Sequence, residues 1–312
     1  MVVYCRLHVT DAPVASTGCD RILLCAWMSG LGDILLLLPA VRALRAAFPT
    51  AFLTLAVRGE PARLYESWGL VDRAFSIELM NLVEVSPLSD VVVVFTGNDP
   101  LRSAIRHLRP DALLSDPRPP AGVHTAEWLL SALSPLGIHA NWTGPQAVAP
   151  VVARTNNPRG PIILHPGSGA TWKCPPVELF EELAVLLTAR GYPVAVLEGP
   201  AERERATRFD VRAEILREPT LQRLAEYLTA SSGYVGNDSG VSHLAGLLGV
   251  PSVTLFGPTH PSSWSPLGPR VRVIRHCTEP PRTDVRVCHR PDCLHDITAH
   301  EVFDQLLDVM VE

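Results

Sequence analysis

Short apolar runs alternate along the chain with stretches in which apolar residues recur every three or four positions. Arg21 to Ala26 reads as a buried strand, and Ser29-Gly30-Leu31-Gly32-Asp33 follows it as a turn. Ile34, Leu37, Leu38, Val41, Leu44 and Phe48 then mark one face of a helix, with Arg42 and Arg45 off that face and Pro49 ending it. Ala51 to Val57 is the next strand, and strand–helix–strand is the unit that builds a parallel sheet. The pattern predicts further strands at Asp90–Phe95 and Ala112–Ser115 and helices over Pro100–Leu108 and Thr125–Leu136.

From His139 to Pro161 the periodicity lapses into Asn, Thr, Pro and Gly, the composition of a linker between domains. A second alternation begins at Ile162-Ile163-Leu164. Pro175 and Pro176, then Glu178, Glu181 and Glu182, open a helix that closes with Arg190 and Gly191. Strands are expected at Val194–Leu197, Gly233–Val235 and Ser252–Phe256, with helices near Ala201–Phe209, Thr220–Ala230 and Gly240–Leu248. Thr298 and Glu301 form a capping box for a last helix reaching about Val311. The expected fold is α/β: two Rossmann-like, doubly wound parallel-sheet domains, at 1–150 and 151–296, with the C-terminal ends of their strands around one central cleft.

Composition narrows the function classes. With 27 basic and 32 acidic side chains the formal charge is −5, divided as −1 and −4 between the halves either side of residue 155, so neither half is a polycation suited to nucleic acid. The longest apolar run, Ile34 to Val41, is far shorter than the roughly 20 residues that cross a bilayer, which leaves at most peripheral membrane contact. The first twenty residues hold Arg6, Asp11 and Asp20 and show no secretory signal. Seven cysteines, an odd number, read as reduced thiols of a cytoplasmic protein. Cys277, Cys288 and Cys293 interleave with His276, His289 and His295, but no Cys-x-x-Cys pair is present and no metal is expected.

Three strand-to-helix loops can carry chemistry. Gly30-Leu31-Gly32-Asp33 lets backbone approach a ligand and places a carboxylate at the start of a helix, as a dipole-favoured acid or as a base for a hydroxyl proton. A dinucleotide fingerprint would need a third glycine where Leu35 stands, which disfavours an NAD-dependent oxidoreductase. His165-Pro166-Gly167-Ser168-Gly169-Ala170-Thr171-Trp172-Lys173 holds the only lysine among the 27 cations, and small residues with one cation before a helix suit a diphosphate. Asn237-Asp238-Ser239-Gly240-Val241-Ser242-His243 runs from a strand directly into a helix, with Asp238 or Ser239 able to cap it and His243 one turn in. Arg58, Arg63, Arg102 and Arg106 are N-terminal cations that are either solvated or meet an anionic acceptor.

The Gly-Leu-Gly-Asp turn with its Leu-Leu-Pro-Ala-Val-Arg-Ala-Leu helix, the His-Pro-Gly-Ser loop with Lys173, and Asn-Asp-Ser-Gly-Val-Ser-His-Leu-Ala with the following Gly-Val-Pro-Ser-Val-Thr-Leu-Phe-Gly-Pro-Thr together resemble glycosyltransferase family 9, the ADP-heptose:lipopolysaccharide heptosyltransferases, over residues 21–312. The resemblance implies a GT-B fold with the acceptor on the N-terminal domain, the nucleotide-sugar on the C-terminal domain, and a final helix, 297–312, packing back on the N-terminal domain. It implies Asp33 as catalytic base, Lys173 against the donor phosphates, and Ser168, Gly169, Glu202, Asp238, Ser239, Gly240 and His243 around the donor; Gly32 and Arg58 are the residues expected toward the acceptor. It further implies inverting transfer from an ADP-sugar to a glycan or glycolipid, without metal or other cofactor. A non-catalytic nucleotide-sugar-binding module of the same fold is the alternative from another class.

Overall fold

A computed structural model describes residues 19–28, 30–77, 88–153, 157, 159–199, 213–278, 280 and 293–311. The expected helix at Ala201–Phe209, together with Glu202, Ser29, Cys288 and His289, lies outside the described residues. Two units divide the chain, Met1–Gly144 and Pro145–Glu312, each built round a parallel sheet of its own.

In the first unit the apolar runs form β1 (Arg21–Ala26), β2 (Phe52–Val57), β3 (Arg73–Ser76), β4 (Val91–Phe95) and β5 (Leu113–Ser115), ordered β3-β2-β1-β4-β5. Every pairing is parallel, with Leu24 between Leu55 and Val93. The chain first builds outward from β1 to β3, then returns to place β4 on the other side of β1. That reversal creates a switch point between β1 and β4, where loops leaving neighbouring strands diverge and a ligand can enter. Helices α1 (Leu31–Leu35), α2 (Leu38–Ala47), α3 (Ala62–Ser67), α4 (Asp99–Leu108) and α5 (Thr125–Ser131) make the connections.

The single helix expected over Ile34–Phe48 is two helices. Pro39 has no N–H to donate to the carbonyl four residues back, and its ring crowds that turn. The chain breaks step at Leu36 and Leu37, and the Tyr65 hydroxyl, fully buried, donates to the carbonyls of Ile34 at 2.8 Å and Leu35 at 3.2 Å. α3 and β3 were not legible in the sequence: α3 is short, and β3 is half-exposed without a continuous apolar run.

The second unit has β6 (Ile162–His165), β7 (Val194–Glu198), β8 (Glu214–Arg217), β9 (Gly233–Asn237), β10 (Ser252–Leu255) and β11 (Val271–Ile274), ordered β11-β10-β9-β6-β7-β8 and again parallel throughout. The switch point lies between β6 and β9, so the loops leaving those two strands flank it. Its helices are α6 (Val177–Ala189), α7 (Leu221–Ala230), α8 (Gly240–Leu247), α9 (Pro261–Trp264) and α10 (Ala299–Val311). Phe180, Leu183 and Leu187 of α6 interleave with Val302, Leu306 and Val309 of α10 in one core.

The last helix expected at 297–312 forms as α10. Its apolar face is committed to α6 and the β9–β11 side of the C-terminal sheet, and Arg270 donates to the carbonyls of Val309 and Met310 in its last turn. The capping box forms in half: Thr298 Oγ1 accepts from the Glu301 amide, while the Glu301 carboxylate turns to His276. Among the described residues no helix is long and apolar enough to cross a membrane.

Candidate active site

In the second unit, β6 ends at His165 and the chain leaves the sheet through Pro166–Ala170 into a 3₁₀ turn, Thr171–Lys173. β9 ends at Asn237 and passes through Asp238 and Ser239 straight into α8. Adjacent parallel strands set these two loops side by side, with His165 in register with Gly236. Four side-chain bonds then join them. Asn237, fully buried, donates from Nδ2 to the carbonyls of Pro166 at 2.7 Å and Gly167 at 3.1 Å. Ser168 Oγ donates to the Asp238 carbonyl at 2.7 Å, and Lys173 Nζ to Asp238 Oδ2 at 2.7 Å.

Asp238 is buried and Lys173 half-buried, so this ion pair is shielded enough to hold the ammonium in place while leaving part of it exposed. The Trp172 ring lies 5.4 Å from Nζ and restricts it further. The nearest anion a substrate could bring would meet a cation already oriented. Ser239 is the N-cap of α8, yet its side chain makes no capping bond, and the Asp238 carboxylate is taken by Lys173. The helix N-terminus is therefore left without a side-chain cap, the condition under which its amides and dipole favour an anion. Gly169 is exposed, with no atom of the described residues within 4 Å of the place a Cβ would occupy.

Beneath the loops runs a buried polar chain. Tyr234 OH contacts His165 Nδ1 at 3.3 Å and Ser242 Oγ at 3.0 Å, and Ser242 Oγ donates to the Asn237 carbonyl at 2.5 Å. Ser239 Oγ lies 3.4 Å from both His165 Nδ1 and Ser242 Oγ. Gly236 makes room for it: a Cβ there would stand 2.1 Å from the Tyr234 hydroxyl. His243 is buried in the second turn of α8. After β10, His260 Nδ1 caps α9, and burial, aided by the Arg275 charge, pulls its pKa below the ordinary histidine value.

In the first unit, the loop after β1 leads from Trp27 to the short α1. Gly30 is its N-cap, and the Gly30 amide donates to Asp33 Oδ2 at 3.3 Å, so the carboxylate folds back over the start of its own helix. Gly32 lies in the same turn. Arg58, directly after β2, is exposed and sits 5.3 Å over the Trp27 ring. Arg102 donates to the Thr96 carbonyl at the end of β4, and Arg118 pairs with Asp116 beyond β5. The Arg118 bond is the leading cause holding the Asp116 carboxyl below its ordinary value.

Of the sequence-derived donor residues, Ser168, Lys173, Asp238 and Ser239 come together on the two β6 and β9 loops; Gly240 and His243 follow on α8, and Glu202 lies outside the described residues. Sequence reasoning missed Asn237 and the Tyr234–Ser242 pair. The Asn-Asp-Ser-Gly motif displayed Asn237, but only the β6–β9 adjacency reveals what its amide holds. Cys277 and Cys293 are both buried, and His276 spans the Glu301 carboxylate and the Asp296 carbonyl.

Residues 145–294 match the family model for glycosyltransferase family 9 (heptosyltransferase). Over 106 residues the chain is 39% identical to lipopolysaccharide heptosyltransferase 1 of Pseudomonas aeruginosa, and over 145 residues 31% identical to lipopolysaccharide heptosyltransferase 2 of Salmonella typhimurium. These alignments take in 32% and 43% of this chain, and span only 29% and 41% of those proteins. Structural likeness extends further. The glycosyl transferase family 9 structure from Veillonella parvula superposes with a TM-score of 0.75 at 19% identity, covering 94% of this chain and 97% of that one. E. coli heptosyltransferase WaaC with ADP gives 0.71 at 20% identity, covering 93% and 99%. The two parallel sheets of five and six strands are those of the GT-B heptosyltransferase fold. Residues 145–294, just under half of the chain, are thus similar to glycosyltransferase family 9, the heptosyltransferases.

Proposed function

We propose that the protein is an inverting glycosyltransferase that moves a heptose from ADP-heptose to a glycan or glycolipid acceptor of the cell envelope, working in the cytoplasm with at most peripheral membrane contact. The observation that carries the reading is Lys173, oriented by Asp238 at 2.7 Å beside Ser168 and the uncapped N-terminus of α8. A diphosphate is the ligand such a set of donors fits best: one cation, one hydroxyl and a row of amides. E. coli heptosyltransferase WaaC, of the same fold, has been crystallised with ADP and with ADP-2-deoxy-2-fluoro heptose, which favours an ADP-sugar as donor.

The reaction is a single displacement. Asp33 removes the proton of the acceptor hydroxyl, the hydroxyl oxygen bonds to the anomeric carbon, and the bond from that carbon to the diphosphate oxygen breaks. The electron pair leaves with ADP, whose growing negative charge is met by Lys173, Ser168 and the α8 amides. Losing one such donor typically costs about 3 to 4 kcal/mol of transition-state stabilisation. Gly32 and Arg58 take the acceptor side, where the Arg58 guanidinium suits an anionic sugar. Ser239, Gly240, His243 and Glu202 complete the donor side.

The test is ADP release from ADP-heptose in the presence of candidate envelope acceptors. Asp33→Asn abolishes turnover while leaving donor affinity within about twofold, and Lys173→Met lowers turnover by about a hundredfold or more. Wild-type turnover in both variants contradicts the mechanism.

A further inference from the structure

We propose that Gly30 is a positioning residue for the Asp33 carboxylate, and that the absence of a side chain at position 30 sets where that carboxylate stands. This rests on the reading of Asp33 as the base. Glycine is not needed here for backbone reasons, since Gly30 has φ −98° and ψ 145°, an extended conformation open to any residue. Nor does it supply a helix cap: Ser, Thr, Asn or Asp would serve better at an N-cap.

What its missing Cβ provides is room for one group. A Cβ built on Gly30 would stand 3.0 Å from Asp33 Oδ2, 3.5 Å from Asp33 Cγ and 4.0 Å from Asp33 N, and those are its three nearest neighbours. The same glycine's amide donates to Asp33 Oδ2 at 3.3 Å. Position 30 thus touches Asp33 twice, holding one carboxylate oxygen through N–H and leaving it space through the absent methyl. A methyl group would push Oδ2 away by a few tenths of an ångström or rotate the carboxylate. The carboxylate is the free end of a side chain, so the fold yields easily, but a general base works only within hydrogen-bond reach of its proton.

Gly30→Ala should therefore damage catalysis without damaging the protein. Replacing glycine where the backbone suits alanine restricts the unfolded chain, so thermal stability stays level or rises. The experiment measures kcat and KM for ADP-heptose, ADP affinity and Tm in Gly30→Ala beside Asp33→Asn. Expected for Gly30→Ala are a kcat at least about tenfold lower, donor KM and ADP affinity within about twofold of wild type, and Tm not reduced. Wild-type kcat in Gly30→Ala with Asp33→Asn inactive overturns the positioning role alone. A Tm lowered together with weakened ADP binding overturns it too, since that marks a structural glycine. Wild-type kcat in Asp33→Asn overturns the base assignment itself, whatever Gly30→Ala does.

Discussion

Asn237→Asp is the sharpest structural perturbation of the β6 and β9 loops, because it changes chemistry without changing volume. Only an NH₂ group can face two carbonyl oxygens at 2.7 and 3.1 Å, so the amide orientation of Asn237 is fixed by its partners. Its Oδ1 is buried and has no hydrogen-bond partner among the described residues, so nitrogen alone sets the geometry. A protonated carboxyl in that place offers one donor for two acceptors. One bond is lost and one buried carbonyl stranded, about 2 kcal/mol. An ionised carboxyl offers none, and burial against two carbonyls lifts its pKa by about 3 units or more over the unfolded value of about 3.9. A group whose folded pKa is raised keeps its stability below the unfolded pKa and loses it as pH rises toward the folded one. The penalty therefore grows by about 1.4 kcal/mol per pH unit above pH 4, to about 6 kcal/mol near pH 7. For a unit the size of Pro145–Glu312, a kcal/mol moves the melting point by about 2 to 4 °C. Differential scanning calorimetry of the whole chain from pH 4 to pH 7.5 should show the variant's deficit in Tm widening steadily with pH. A constant deficit, or none at pH 7, refutes the assignment of Asn237 as the bond between the β6 and β9 loops.

Other parts of the structure give further expectations. Gly236→Ala drives a Cβ into the Tyr234 hydroxyl and breaks up the His165–Tyr234–Ser242 chain, at a cost of about 2 to 4 kcal/mol, seen as a lowered Tm and weaker ADP binding. Arg270→Met removes the bonds to the Val309 and Met310 carbonyls, and hydrogen exchange in the last turn of α10 should quicken while the middle of the helix stays protected. In the first unit, burial pushes the Asp72 carboxyl up, but bonds from the Arg45 guanidinium and the Leu53 amide outweigh it and leave its pKa below the ordinary value. Because the folded pKa is the lower one, the stability Asp72 contributes is complete above about pH 4 and is lost as pH falls through the depressed value. Thermal melts of Asp72→Asn should fall short of wild type at pH 7 and converge with it in strong acid.

Most strands could be read directly from the sequence because an apolar run closed by a turn has few other uses in a parallel sheet. Arg21–Ala26 appears in the structure with the limits its pattern suggests. Half-exposed strands such as Arg73–Ser76 and Glu214–Arg217 lack that run, and nothing in their composition separates them from loops. The break between α1 and α2 was foreshadowed by Pro39, but a six-position apolar stripe outweighed it, and the Tyr65 hydroxyl that makes the break tolerable lies far along the chain. The site divides in the same way. Lys173 stood out as the lone lysine, and Asp238 by its motif, yet their ion pair depends on β6 and β9 being neighbours, and strand order has no local signature.

The proposed function requires the loops after β6 and β9 to form a diphosphate cradle organised around Lys173. Calorimetric titration with ADP, on the wild type and on Lys173→Met, addresses it most directly. Binding by the wild type and at least about a tenfold loss in the variant are expected, the worth of one charge-assisted bond to phosphate. ADP binding of equal strength in both proteins, or none in the wild type, contradicts it.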